Sequence, residues 1–462
     1  MMKKTLMILS ASLLMGSCGL YNKYERPDVN TKGLVRDVTS LTDTLVVTNT
    51  DNNFGNLPWR SLFTDAQLQT LIEKGLNNNA DLLNAALNVK MVEAQLTAAK
   101  LAFVPSFAFA PTGTLSSWDG NKPSKIYSLP IQASWSVDLF GNLLSQKRSA
   151  QMALLATKDY QTVVQTNIVC GIANMYYTLM MLDRQLEVVT DMSGLVKETW
   201  DMMQLQMNLG RARSTSVQSA EANYYSVLAQ AEDLKRQIRE TENSLCLLIG
   251  EPAHQIARGK LEEQSLPSEF ATGVGLQLLS NRADVHAAEM SLAQCFYDVE
   301  TARSRFYPSI TVTGTAAFTN SAGTAIINPG KWLLSAVGSL VQPIFQHGQI
   351  VAGLKVAKAQ YEQAYNTWQN AVLQAGNEVS NALVTYNASA EKAELDGKRV
   401  AVLKQNVEDT KKLMESSSNT TYLEVISAQS NLLNAEISEV TDQFNKMQAV
   451  VNLYQALGGG AK

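Results

Sequence analysis

Of the 462 residues only four are cysteine (Cys18, Cys170, Cys246, Cys295) and three are histidine (His254, His286, His347). No two of them share a C-x-x-C or H-x-x-x-H spacing, which argues against both a disulfide framework and a zinc site. No metal and no cofactor is expected. A charge excess is lacking too, because 38 Lys+Arg stand against 42 Asp+Glu for a formal net charge of −4. Nothing in that balance draws the chain to nucleic acid or to an anionic membrane surface. Phosphate-binding loops and nucleophile motifs are also missing, so the sequence offers no constellation to carry catalysis.

Proline is absent from two long windows, 131–251 and 344–462. Since proline breaks helix interiors, long helices can run there. In the first window Ile168, Ile172, Met175, Leu179, Leu182, Leu186, Val189, Val196, Trp200, Met203 and Met207 keep a four-three spacing, a sustained heptad with only Ser193 off pattern. The second window repeats the pattern less strictly from Ile350 through Trp368, Val379 and Val407 to Met414. A helix from Leu143 to Leu209 would extend roughly 100 Å at about 1.5 Å per residue. Such a rod suits a protein crossing a periplasm better than a compact domain.

Long apolar runs are lacking as well. The run Leu6–Met15 is too short to span a bilayer. With Lys3-Lys4 before it and Gly16-Ser17-Cys18 after it, residues 1–17 read as a signal peptide. Small residues before a single cysteine resemble a bacterial lipobox, which predicts acylation of Cys18 and tethering in an outer membrane, Gly19 not being the retention aspartate. An ordinary signal peptide with an incidental cysteine is the plainer alternative.

The chain carries an internal duplication. Asp81 to Pro105 is matched by Asp284 to Pro308, 24 residues each; Phe103-x-Pro-Ser is matched by Phe306-x-Pro-Ser; and Ala220 to Gly250 is matched by Ala428 to Gly458, 30 residues each. Each half reads helix, strand, strand, very long helix, helix. The halves span 59–250, with strands at about 105–115 and 126–138, and 276–462, with strands at about 308–319 and 332–343. Residues 18–58 form an N-terminal arm and 251–275 a linker.

Period two is clearest in Tyr127, Leu129, Ile131, Ala133, Trp135 and Val137; Ile310 to Phe318 and Trp332 to Leu340 repeat it. Lengths of about ten residues suit transmembrane strands. Alternation alone fits a half-buried soluble sheet equally well, but the long helices flanking each hairpin and the polar loops at 116–125 and 319–331 favour the membrane. Four strands cannot close a membrane barrel, whose smallest form has about eight. Three copies, giving about twelve strands, are the smallest assembly that leaves a conduit.

Several segments together resemble the TolC-like bacterial outer-membrane factor family, and within it the NodT-type lipoprotein branch that serves resistance-nodulation-division (RND) efflux pumps. They are Tyr24-Glu-Arg-Pro27, Trp59-Arg-Ser-Leu-Phe63, Ala133-Ser-Trp-Ser-Val-Asp-Leu-Phe-Gly141, Leu278-Leu-Ser-Asn-Arg-Ala-Asp-Val-His-Ala-Ala-Glu289 and Leu423-Glu-Val-Ile-Ser-Ala-Gln429. The resemblance implies a mainly α fold with a membrane β contribution: a homotrimer whose twelve-stranded barrel in outer-membrane lipid continues into a twelve-helix periplasmic barrel. It implies passive exit of drugs or other small molecules, with a periplasmic adaptor and an inner-membrane RND-type transporter as partners. A type I secretion exit duct and a lipid-tethered coiled-coil scaffold without a pore are the alternatives.

In such a duct the periplasmic tips are the turns 209–216 and 414–421. Gly210, Arg211, Ser214, Ser417, Asn419 and Thr420 are the candidate adaptor contacts there, and Glu424, Arg213, Ser216 and Ser427 the candidate gate residues. Thr421-x-x-Glu424 is equally a capping box, and the arginines equally solvated loop charges. Tyr127, Trp135 and Trp332 are candidates for an interfacial aromatic belt.

Overall fold

The computed structural model describes residues 22–28, 54–117, 119–120, 123–264, 266, 282–319, 331–416 and 422–460. Cys18, Ser417, Asn419 and Thr420, together with the signal segment 1–17, lie outside the described residues. In chain order the elements are α1 (Trp59–Leu62), α2 (Ala66–Asn78), α3 (Ala80–Leu101), β1 (Ser106–Phe109), β2 (Thr112–Ser116), β3 (Ser124–Val137), α4 (Asn142–Asn208), α5 (Ser214–Leu248), α6 (Ala283–Ser304), β4 (Ser309–Thr319), β5 (Lys331–Val341), α7 (Gln349–Ser416) and α8 (Tyr422–Ala456).

The duplication is visible in the element lengths. α3 and α6 both have 22 residues, α4 has 67 and α7 has 68, and α5 and α8 have 35 each. The shorter helices also end alike. After α5, Gly250 takes φ +75° while its N–H and that of Glu251 turn back to the carbonyls of Leu247 and Cys246. After α8, Gly458 takes φ +83° with matching bonds from Gly458 to Gln455 and from Gly459 to Tyr454. Both are Schellman caps, in which a left-handed glycine lets the last carbonyls find donors.

The described residues form two compact units. The first gathers those within Met1–Asn30, Leu87–Asp159 and His286–Ala371 and contains one antiparallel sheet, ordered β1-β3-β4-β5 with β2 also on β3. The strand expected at about 105–115 is split, and the reason lies in two prolines. Phe109 faces Ile131 and Thr112 faces Ser128, so the register carries across the gap unshifted and sets Pro111 and Pro130 in the same break. Neither has an N–H to give to a ladder; Ala110 keeps a bond to the Pro130 carbonyl at 3.3 Å.

The second unit, within Thr31–Ala86, Tyr160–Val285 and Val372–Lys462, is helical. Its core joins Trp59, Leu62, Phe63, Leu68 and Ile72 to Ile168, Ile172, Tyr176 and Leu179 of α4, to Leu245 of α5, and to Val450, Leu453 and Tyr454 of α8. The heptad positions Leu182, Val189, Val196 and Met203 are buried, which is what a knobs-into-holes seam requires. Asp65 starts α2 by accepting the N–H groups of Gln67 and Leu68, and its other carboxylate oxygen takes the Tyr176 hydroxyl at 2.9 Å.

Candidate functional site: an apolar sheet face and a helical tip

In the first unit the strand registers place Leu129, Ile131, Ala133, Trp135 and Val137 beside Phe318, Ala316, Gly314, Val312 and Ile310, and these beside Trp332, Leu334, Ala336, Gly338 and Leu340. Phe107 and Phe109 extend the same face through Ala133 and Ile131. Every one of these residues is apolar or glycine. The opposite face carries Gln132, Ser134 and Ser136 against Thr315, Thr313 and Thr311.

Among the described residues nothing covers much of the apolar face: Leu334 is 79% and Trp332 75% exposed. From Tyr127 to Val137 the strand runs about 33 Å at ~3.3 Å per residue, which a tilt of about 40° turns into a height of about 25 Å, the apolar band of outer-membrane barrels. Tyr127 and Trp332 lie toward the hairpin ends of their strands, and Trp135 toward the end that meets the helices. The Trp135 indole donates to the Phe103 carbonyl at 3.0 Å. Among the described residues the outer edges of β1–β2 and of β5 have no strand partner.

In the second unit α4 ends at a tight turn. Gly210 takes φ +70°, with its N–H bonded to Met207 at 2.9 Å and that of Arg211 to Gln206 at 2.8 Å, a third Schellman cap. Beneath the turn Met203, Val217, Ala220, Met414 and Val425 form a small buried cluster, flanked by Trp200, Met202, Ala212, Tyr422 and Ile426. The ends of both helix pairs therefore pack on each other.

Around that cluster the sequence candidates divide. Arg211, Arg213, Ser214, Glu424 and Ser427 are exposed, whereas Ser216 is buried. Arg213 precedes α5 without capping it through its side chain, and among the described residues neither Arg211 nor Arg213 makes an ion pair. Glu424 stands in the first turn of α8, where a carboxylate suits the positive end of the helix dipole. Thr421, the other half of its capping box, lies outside the described residues.

Three polar sites in the second unit escaped the sequence. Gln429 is 2% exposed and gives its amide to Thr199 Oγ1 at 2.9 Å and to the Leu195 carbonyl at 3.3 Å. Asp442, equally buried, accepts Lys392 Nζ at 2.8 Å. Arg258 holds Asp183 through Nε (2.5 Å) and Nη2 (2.8 Å) and Glu242 through Nη1 (2.5 Å), pinning the segment after α5 to the helices. No motif marks them as polar sites, and the sequence names no partner for any of the three.

A sheet with one apolar face, much of it exposed, in a chain whose two repeats each carry a helix of 67 or 68 residues, has the features of an outer-membrane channel subunit. The chain belongs to the outer membrane efflux protein family, whose pattern matches residues 71–251 and again 275–459. The cation efflux system protein CusC of Escherichia coli (strain K12) is 25% identical over 455 residues, covering 97% of this chain and 98% of its own. The probable outer membrane lipoprotein SilC of Salmonella typhimurium is 23% identical over 465 residues, covering 99% and 98%. A crystal structure of CusC aligns with TM-score 0.84 and 23% identity, covering 95% of this chain and 99% of that one. The chain is an efflux channel protein of the outer membrane, as its sequence motifs implied. Members of this family are transport channels rather than enzymes.

Proposed function

We propose that three copies of this chain form the exit duct of a tripartite pump. The observation carrying this reading is the continuous apolar sheet face, bounded by two edges that have no strand partner among the described residues. Open edges are not tolerated in lipid, so β5 of one copy pairs with β1–β2 of the next until the ring closes at about twelve strands. The opposite face, with Ser, Thr and Gln on β3 and β4 and with Leu333, Val337 and Val341 alternating with Ser335 and Ser339 on β5, then lines the conduit. Drugs or other small molecules pass down their gradient through it, and the chain itself performs no chemical step.

The periplasmic adaptor meets the tip turns at Gly210, Arg211 and Ser214, with Ser417, Asn419 and Thr420 on the second turn, and an inner-membrane RND-type transporter supplies the energy. Glu424 forms a ring of three carboxylates at the entrance, with Ser427, Ser216 and Arg213 around it. Arg213, without an ion pair among the described residues, reaches an acid on a neighbouring copy in the closed state. A lipid on Cys18 anchors the N-terminus, a reading supported by the Gly16-Ser17-Cys18 segment and by the lipoprotein name of SilC. Tyr127 and Trp332 contribute to an aromatic belt.

Single-channel conductance of the purified protein in planar bilayers tests the duct. Discrete steps are expected, with cation preference reduced in Glu424→Ala. A cross-linked trimer that stays silent even in Arg213→Ala refutes the duct, and steps unchanged by Glu424→Ala refute the gate.

A further inference from the structure

The two Phe-x-Pro-Ser segments, 103–106 and 306–309, carry the chain from α3 into β1 and from α6 into β4. The phenylalanine carbonyl lies just past a helix end, where carbonyls have no intrahelical donor. The proline two places on has no N–H to lend it. Both repeats supply the missing donor from the far end of the hairpin, the first from within β3 and the second from the residue just after β5. Trp135 Nε1 donates to the Phe103 carbonyl at 3.0 Å, and Gln342 Nε2 donates to the Phe306 carbonyl at 3.0 Å; Gln342 Nε2 also reaches the Pro343 carbonyl at 3.1 Å. The motif serine closes the loop in the other direction. Ser106 Oγ donates to the Ser134 carbonyl at 3.2 Å, and Ser309 Oγ to the Val341 carbonyl at 3.4 Å.

The strand registers show that these bonds are equivalent. Ser106 faces Ser134 and Ser309 faces Val341, so Trp135 and Gln342 are each the residue that follows. An indole and a carboxamide have little in common in shape or polarity. What they share is an N–H donor whose nitrogen stands the same number of bonds from Cα. The two repeats share the donor and differ in the side chain that presents it.

We infer that Trp135 with Ser106, and Gln342 with Ser309, are reciprocal corner clamps that fix each membrane hairpin to the helix feeding it, and that insertion of the sheet into the outer membrane depends on them. Trp135 acts here as a positioning residue through its indole N–H, and its ring is secondary. The inference rests on the outer-membrane location and not on the trimer or the gate.

The test compares full-length variants by the urea-resistant, membrane-inserted fraction of isolated outer membranes. Trp135→Phe/Gln342→Leu removes both donors yet keeps apolar side chains, and is expected to lower the ratio of inserted to uninserted chain about thirtyfold, the worth of one net hydrogen bond at each of the two corners. Trp135→Gln installs the donor that the other corner uses and is expected to insert like the wild type. A ring needed for packing or as a belt anchor demands the reverse order. Wild-type insertion by the donorless variant overturns the clamp, and so does a Trp135→Gln chain that fails as Trp135→Phe/Gln342→Leu does.

Discussion

An arginine on the sheet tests which face meets lipid, and neighbouring residues provide the contrast. Ala133 lies on the apolar face between Phe107 and Gly314, whereas Gln132 lies on the polar face between Ala108 and Thr315. Both sit near the middle of the stretch from Tyr127 to Val137, so depth is matched and only the face differs. An arginine on the lipid face at the bilayer midplane costs about 2–4 kcal/mol, and about 0–1 kcal/mol near an interface. In a trimer the Ala133→Arg cost is paid three times, about 6–12 kcal/mol, which matches the whole stability of an ordinary domain. Gln132→Arg, facing water, is expected within about 1 kcal/mol of wild type. Trp332→Arg, on the apolar face but near its hairpin end, is expected to fall between them. The assay is the urea-resistant fraction of outer membranes, followed by the temperature at which that fraction loses its resistance. The reasoning is refuted if Gln132→Arg is as damaging as Ala133→Arg, or if Ala133→Arg inserts normally.

Two further outcomes follow from charges outside the sheet. Arg258→Met leaves Glu242 buried without its cation and Asp183 without its bidentate partner, and is expected to destabilise the helical unit by about 3–5 kcal/mol; Arg258→Lys should rescue little of this, because an ammonium cannot reproduce the fork, as thermal unfolding followed by circular dichroism will show. Burial of Asp298 raises its carboxyl above the usual carboxylate range, opposed by a hydrogen bond from Ser149. Its folded form thus holds a proton that the unfolded chain has released. Its contribution to stability is full below about pH 4 and is lost as pH rises through the raised value. Asp298→Asn should therefore be more stable than wild type at neutral pH, the gain vanishing as the melting series approaches pH 4; a gain that grows on acidification would contradict the sign.

Much of the architecture is determined by sequence alone, because it depends on periodicity and on what proline cannot do. The proline-free windows hold α4–α5 and α7–α8 since no proline breaks these helices, and the seven-residue spacing of Leu182, Val189 and Val196 marks the buried seam of α4. The period-two residues of β3, β4 and β5 share one face because side chains alternate along any strand. The stop signals of α5 and α8 are equally local, as Gly250 and Gly458 show.

Only the tertiary structure decided how these pieces meet. That Pro111 and Pro130 share one gap depends on the pairing of β2 with β3, and no local pattern encodes strand register. The donors to Phe103 and Phe306 are 32 and 36 residues away in sequence, and one is an indole and the other an amide, so no motif reveals that they do the same work. Arg258 finds Asp183 and Glu242, and Gln429 finds Thr199, across helices whose facing sides are fixed by packing. Ser216 and Glu424 occupy matching places in the two repeats, yet one is buried and the other exposed, because burial is set by the residues a helix packs against and not by its own periodicity.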